Sequence, residues 1–515
     1  MAQWIANPRV TFNIVSSNRR VGPDTHRALL IGQITSGATA VGGTLVTNVP
    51  RDVADINALF GASSHLAMIA RAYREVNDFT QVDALPLADN SGGTAATATV
   101  VISGTATSAG VLYLTVVSDQ YHRWEIDVEI GDTPSTIGTK IAAQATADRN
   151  LPFTTANATG TITFTAANKG THANTWLLAL EGRAAGITTT LTGWNGGATN
   201  PSLTTLFDPV QTLRYQTIVW PEAYTLSNIR NWIDARKNVN NDVMDGRAFV
   251  FLNQAFATIK STASGLNSSE LVLLTNEPTS QTGRWLGPHL PEASDVITAK
   301  FAAARDRRFM DGISVSDIVA TNAPLDQFGG VHMASLPYFN TPLLGVGQPL
   351  KGTGYTFAEQ LELENSGVTV LGTNRTYNAA ILGQVVTTYL NDVAGNSDDT
   401  WKFLEWRDTH GVIREYFQRN CQKEYAQKRL TTGTAVAGYS MVDRDAIASF
   451  CALLYQELTQ LALTVTGLEA RKFFERNLVV TLVPERRRVE IAAKVPMVSQ
   501  LGEITGVIEY TFATN

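Results

Sequence analysis

The sequence reads as a multidomain α/β chain: an α/β core, a β-rich insertion within it, an α+β C-terminal domain, and an extended strand at each end. A β-α-β-α-β rhythm between residues 215 and 275 calls for a mainly parallel sheet covered by helices. The stretch from 92 to about 200 changes character. Thr, Ala and Gly dominate it, charge is sparse, and short alternating segments recur. Two long amphipathic helices and a hairpin fill the last third. With 515 residues the chain exceeds one compact core, so about three to four domains are expected. The expected boundaries are 1–24 for an N-terminal arm, 25–91 with 201–375 for the core, and 92–200 for the insertion. Residues 376–502 form the C-terminal domain and 503–515 a C-terminal arm.

In chain order, Val10, Phe12 and Ile14 alternate with Thr11, Asn13 and Val15, the period-two pattern of a strand. A polar stretch through Gly22-Pro23 sets it apart, so it has no obvious partner nearby in sequence. Ala28 to Gly32 is a short apolar run within a strand from Arg27 to Ile34. Arg51–Phe60 and Ser63–Val76 read as helices; Ala67, Met68, Ala70, Ala72 and Tyr73 give the second an apolar face. Val82–Leu87 returns as a strand. In the insertion, Ala98–Ile102, Val111–Val117, Trp124–Ile130 and Gly160–Thr165 alternate. One helix interrupts them, with Thr133 as N-cap, Pro134 in the first turn and Ile137–Ala147 as body.

Strands at Tyr215–Trp220, Ala248–Leu252 and Leu271–Leu274 flank helix Thr225–Lys237 and a shorter helix. The Gly- and Pro-rich residues 324–354 read as a long surface loop. Helices are expected near Asp399–Arg429 and Asp443–Leu463. A hairpin, Leu478–Val483 with Val489–Val495, turns around Pro484 to Arg488. Glu503–Phe512 alternates Ile504, Val507 and Ile508 with polar residues and reads as a terminal strand.

Composition excludes several functions. Net charge is −6, against the large basic surface of a general nucleic-acid binder. Two cysteines, Cys421 and Cys451, are too few for a secreted disulfide framework and read as reduced thiols. No window approaches the ~20 consecutive apolar residues of a membrane span, and the N-terminus lacks the apolar run of a secretion signal.

A search for chemistry ends without a catalytic, cofactor or metal site. No G-x-S-x-G elbow occurs; Ser264-Gly265 lacks the preceding glycine. The seven histidines are scattered, and none sits at metal-ligand spacing. Gly345-Val-Gly347 and Gly352-Thr-Gly354 fit neither phosphate-loop pattern. Asp398-Asp399 reads as a helix start, and Asp242 and Asp245 flank a turn. The chain is therefore expected not to be an enzyme. Arg414, Arg419, Lys423, Lys428 and Arg429 fall roughly along one helix face. They read either as a solvated face with pairs such as Glu424–Lys428 or as a docking patch for an acidic partner.

Several ordered stretches together carry a family resemblance. They are Asp24-Thr-His-Arg-Ala-Leu-Leu-Ile-Gly32; Asp52–Asn77, containing Leu59-Phe-Gly-Ala-Ser-Ser-His-Leu-Ala-Met68; Val82–Leu87; and Val489-Glu-Ile-Ala-Ala-Lys-Val-Pro-Met-Val-Ser-Gln-Leu501. Asn168-Lys-Gly-Thr-His-Ala-Asn174 matches a K-G-T-x-x-N turn. In that order, and across almost the whole chain, the sequence resembles the tail sheath proteins of contractile phages, the Mu-like group in particular. The family's middle region is called subtilisin-like, a likeness of fold; no triad is present here, so no protease activity carries over.

The resemblance implies a virion structural subunit, assembled in the bacterial cytoplasm as stacked rings around a tail tube. Contraction would drive the tube through the host envelope. It implies an outward-facing insertion, an inward-facing C-terminal domain, and arms that add strands to sheets of adjacent copies. Implied partners are other copies of itself, the tail tube protein, and baseplate and tail terminator proteins, without direct nucleic-acid contact, membrane insertion or cofactors. Strand pairing would involve Val10, Phe12, Ile14, Leu478, Val480, Val489, Ile491, Ile504, Val507 and Ile508, with the 478–495 hairpin as acceptor. Arms would hinge at Ser16–Asp24 and Val498–Gly502. Arg414, Arg419, Lys423 and Lys428 would face the tube. A sheath-like subunit of a bacterial contractile injection device is the alternative.

Overall fold

A computed structural model describes residues 9–13, 26–236, 244, 246–276, 292–311, 338–339, 341–343, 345–347, 355–374, 379–436, 439–461, 463–486 and 488–499. The chain divides into two compact units. The larger comprises Arg20–Arg308 and Asn340–Leu404, the smaller Met1–Arg19, Phe309–Phe339 and Glu405–Asn515. The first strand, β1 (Arg9–Asn13), belongs to the smaller unit.

The larger unit begins with β2 (Arg27–Gln33), α1 (Val53–Phe60), α2 (His65–Val76) and β3 (Gln81–Leu87). Ser64 caps α2 by accepting a hydrogen bond from the Ala67 amide at 3.0 Å. The helix packs so closely on β2 that a Cβ at Gly32 would lie 3.1 Å from the Leu66 Cα. The insertion follows: β4 (Ala95–Gly104), β5 (Gly110–Val117), β6 (Tyr121–Val128), α3 (Pro134–Ala147), β7 (Phe153–Ala158), β8 (Thr161–Lys169), β9 (Leu177–Arg183) and β10 (Ile187–Asn195). Its strands form two antiparallel sheets, ordered β10-β4-β8-β7 and β6-β5-β9. Thr133 caps α3 and Pro134 opens it, as the sequence predicts. Backbone bonds between Thr94 and Ala198, 3.0 and 3.1 Å long, draw the two ends of the insertion together.

The chain then resumes with β11 (Thr217–Val219), α4 (Leu226–Arg236), β12 (Arg247–Phe251), α5 (Phe256–Leu266), β13 (Leu271–Thr275), α6 (Ser294–Asp311), α7 (Phe357–Asn365), β14 (Val368–Asn374) and β15 (Ala379–Leu382). A seven-stranded sheet is ordered β15-β14-β13-β12-β11-β2-β3. All its neighbours pair in parallel except β14 with β15. Every residue of β12 and β13 is buried, which is why they read as unbroken apolar runs rather than alternating ones. The chain leaves β2 toward β3 on one side and returns on the other side at β11. The topological switch point, where open α/β sheets usually bind ligands, lies between them.

In the smaller unit, α8 (Leu404–Tyr425), α9 (Arg444–Gln460) and α10 (Leu468–Asn477) pack beside β18 (Val479–Val483) and β19 (Arg488–Lys494), with a small β16 (Arg429–Leu430) and β17 (Met441–Val442) pair. Phe417, Cys421, Ile447, Cys451, Tyr455, Phe474, Val480 and Ile491 form its apolar core.

Several expectations are corrected. Strands β7, β9 and β10 were not foreseen. In β10 every residue but Ile187 and Trp194 is exposed, so no alternation marks it. Helix α6 was missed because from Ser294 to Asp306 it has no exposed polar face: Asp295, Thr298, Lys300, Arg305 and Asp306 are buried alongside its apolar residues. In the expected surface loop 324–354, Tyr338, Leu343 and Val346 are buried. Asp398 does not start a helix; it accepts from the Tyr389 hydroxyl at 2.6 Å and the Thr400 amide at 2.9 Å, several residues before α8. Asp242 and Asp245 lie outside the described residues.

Candidate assembly interface

The hairpin β18–β19 is antiparallel, with Val480 opposite Ile491 and Leu482 opposite Val489. On the other side of β19 lies β1, also antiparallel, with Val10 opposite Ala493 and Phe12 opposite Ile491. The sequence left the N-terminal strand without a partner in its own chain; the hairpin supplies one. Register follows from the alternation: Val480, Ile491 and Ala493 are buried against the helices, whereas Val479 and Thr481 face out. Among the described residues the sheet is ordered β1-β19-β18. Both edges of β19 are thus engaged, and among the described residues no strand pairs with the second edge of β18.

Of the strand-pairing residues expected from the sequence, Val10 and Phe12 lie in β1, Val480 in β18, and Val489 and Ile491 in β19. Leu478 immediately precedes β18 and is partly buried. Because Val480 and Ile491 point into the core of their own unit, they contribute rigidity; the pairing capacity resides in the backbone. Ile14, Ile504, Val507 and Ile508 fall outside the described residues. So do the hinge at Ser16–Asp24 and all but Val498 and Ser499 of the second.

The basic stripe on α8 is not continuous. Arg414 is 5% exposed, too buried to dock a partner. Arg419 lies 3.3 Å from Glu415, half-buried. Lys428, just past the helix, pairs with Glu424 and sits 5.2 Å above the Tyr425 ring. Lys423, Lys428 and Arg429 are exposed, so the positive surface is confined to the C-terminal end of the helix. Cys421 and Cys451 are buried free thiols. A hydrogen bond with Cys451, together with burial, pushes the Cys421 thiol well above its usual range, which makes it unreactive.

In the larger unit the Asn168–Asn174 turn of the insertion plugs the carboxyl ends of β2 and β3, beside the switch point. Asn168 Oδ1 accepts from the His65 amide at 2.8 Å, and its Nδ2 donates to the Ile34 carbonyl and to Asp89, at 3.0 and 2.9 Å. Gln33, at the end of β2, donates to Asp89 at 2.6 Å and to the Lys169 carbonyl at 2.7 Å. Gly170, with φ +101, makes the reversal. Asn174 closes the turn on Gly197 through two bonds of 2.9 and 3.0 Å. At the ends of β12 and β13 a cavity of about 30 Å³ is left. It lies between Val117, Thr175 and Leu177 of the insertion and Phe251, Asn253 and Asn276, room for about one water.

The histidines among the described residues, scattered in sequence, have partners in space; His289 and His332 lie outside the described residues. His26 lies 2.8 Å from Asp306, His65 2.7 Å from Asp295, and His122 2.8 Å from both Asp119 and Asp148. His172 stacks on His65, and His410 lies 2.9 Å from Arg407. Partners as far as 280 residues apart leave no local spacing to read. Among the described residues no three His, Cys, Asp or Glu are arranged to hold a metal ion. Ser264 donates to the Ser261 carbonyl of its own helix. The Gly347 amide already donates to Glu292, a carboxylate of the chain itself, at 3.2 Å. An open groove of about 520 Å³ near Leu203, Phe207 and Asn228 is lined by no carboxylate, imidazole, thiol or amine. Among the described residues no helix is long and apolar enough to cross a membrane.

No family model matches the sequence. A curated Mu-like prophage tail sheath protein from Haemophilus influenzae is 23% identical over 452 residues, covering 85% of this chain and 84% of that protein. Among solved structures, a sheath tail protein from Desulfitobacterium hafniense aligns over 94% of this chain and 96% of its own, at 13% identity and a TM-score of 0.47. One from Listeria innocua aligns over 94% of each chain, at 12% identity and a TM-score of 0.46. The ordered motifs of the sequence and the near-complete span of the curated relative agree: the chain is a relative of the Mu-like phage tail sheath proteins.

Proposed function

We propose that this chain is the polymerising subunit of a contractile tail sheath, linked into a mesh by exchange of its terminal strands. The observation that carries the reading is the β1-β19-β18 sheet, in which a short N-terminal strand is held by backbone pairing on a hairpin anchored in a helical core. Exchanging β1 for the same strand of a neighbour keeps every bond and costs little beyond association, the logic of domain swapping. Each backbone bond nets only about 0.5–1.5 kcal/mol, yet a ladder of them holds firmly in aggregate and tolerates rotation of the bodies it joins. The open edge of β18 suits a second incoming strand, for which residues 503–512 are the candidate.

In this reading subunits stack as rings around a tail tube and contract by repacking. The exposed cations at the end of α8 are the contacts offered to the tube, and no catalysis is involved. Deleting residues 1–18, or 503–515, is expected to leave a soluble folded monomer by size-exclusion chromatography that forms no tubes in electron micrographs. Normal tubes from both truncations would overturn the mesh.

A further inference from the structure

The plug beside the switch point contains a pair of imidazoles that assembly does not use. His172, on the insertion, is 6% exposed and His65, opening α2, is 1% exposed. Their rings stack at 4.7 Å with an interplanar angle of 27°, and His172 meets Trp176 edge-on at 5.7 Å. Nδ1 of each ring is buried without a hydrogen-bond partner. His65 Nε2 is 2.7 Å from Asp295, whose other oxygen accepts from the Glu222 amide at 2.8 Å. The ionisable groups around the pair are Asp295 within α6, Glu222 and Tyr224 after β11, and Asp89 after β3, the last bound through Asn168 and Lys169. One carboxylate, Asp295, directly contacts an imidazole, and it is committed to His65.

We propose that His172 is an acid-operated release for the plug: a proton on its ring expels the Asn168–Asn174 turn from the carboxyl ends of β2 and β3. A charge on the His172 ring has no carboxylate against it and its buried Nδ1 has no acceptor, and burying an unpaired charge is costly. Burial first, and His65 second, already hold His172 well below the ordinary imidazole value. A depressed imidazole leaves its full contribution to stability above the unfolded value of about 6.5 and loses it as the pH falls below that. Glu222 works in the opposite sense. Burial raises it to about 7, so its protonation on acidification favours the folded form. Global melting mixes the two, and a local readout is required.

Hydrogen–deuterium exchange of the full chain, corrected for intrinsic rates, should be followed from pH 7.5 to 5. In the wild type, protection of peptides covering 166–176 is expected to fall about tenfold per pH unit below 6.5, while β12 and β13 stay protected. His172→Phe keeps a neutral stack and should flatten that dependence; His172→Gln serves if the Phe variant does not fold. Glu222→Gln should retain the wild-type fall. Flat protection in the wild type, an unchanged fall in both His172 variants, or its loss in Glu222→Gln would each overturn the proposal.

Discussion

Asp306 illustrates how buried ionisable groups serve structure in this chain. It is fully buried and accepts from the Tyr73 hydroxyl at 2.5 Å, the Thr217 hydroxyl and Arg305 Nη1 at 2.9 Å, with His26 2.8 Å away. Burial alone would raise its carboxyl; His26, then Arg305 and Thr217, outweigh that and hold it below the usual range. Asp306→Ala takes the carboxylate away from the buried Arg305 guanidinium and is expected to cost about 3–5 kcal/mol, read from the urea midpoint of the larger unit's transition. His122 makes a different prediction. Burial opposes its charge, but Asp119 and then Asp148 prevail and raise it, while Asp119 is itself lowered. The raised imidazole stabilises below about pH 6.5 and stops doing so as the pH rises through its folded value; the lowered carboxylate stabilises above about pH 4. The melting difference between wild type and His122→Gln should therefore be largest near pH 5–6 and shrink by pH 9.

At the scale of elements, the three-stranded sheet and α8 separate contacts from supports. Proline at both Thr11 and Phe12 interrupts either parity of the β1 ladder. The double variant should abolish polymerisation with unchanged circular dichroism of the helices; tubes of normal length would argue that β1 is dispensable. On α8, reversing Lys423 and Lys428 to Glu should weaken attachment to tubes and reduce its salt dependence. Arg414→Ala should instead lower stability, since the side chain is buried. Two helices of this unit were legible because α9 is amphipathic and α8 carries an apolar face, both at helical spacing, whereas α10 (Leu468–Asn477) was not foreseen. Helix α6 was not, because burial on every side erased its periodicity.

At the scale of the whole molecule, the insertion carries its own aromatic core. Phe153 meets Phe164, Trp176 and Trp194 at 5.8, 6.4 and 5.5 Å, and Trp176 meets Trp194 edge-on at 5.0 Å. Its ends are already joined at Thr94 and Ala198. Residues 93–199 expressed alone are expected to fold, with blue-shifted tryptophan emission that moves red in a single urea transition; emission already red in buffer would refute independent folding.

Local patterns alone determined the parallel strands from β2 to β13, the helix capped at Thr133, the hairpin and the ordered family motifs, because apolar period and cap chemistry are written within a few residues; the parallel strand β14 was not foreseen. Only the tertiary structure decided where β1 pairs, which carboxylate each histidine meets, and what Asn168–Asn174 is for. Several of those outcomes join residues a hundred or more positions apart, as with His65 and Asn168, His65 and Asp295, and β1 and β19. They are set by the demand that every buried polar group find a partner, a demand met in three dimensions and invisible along the chain.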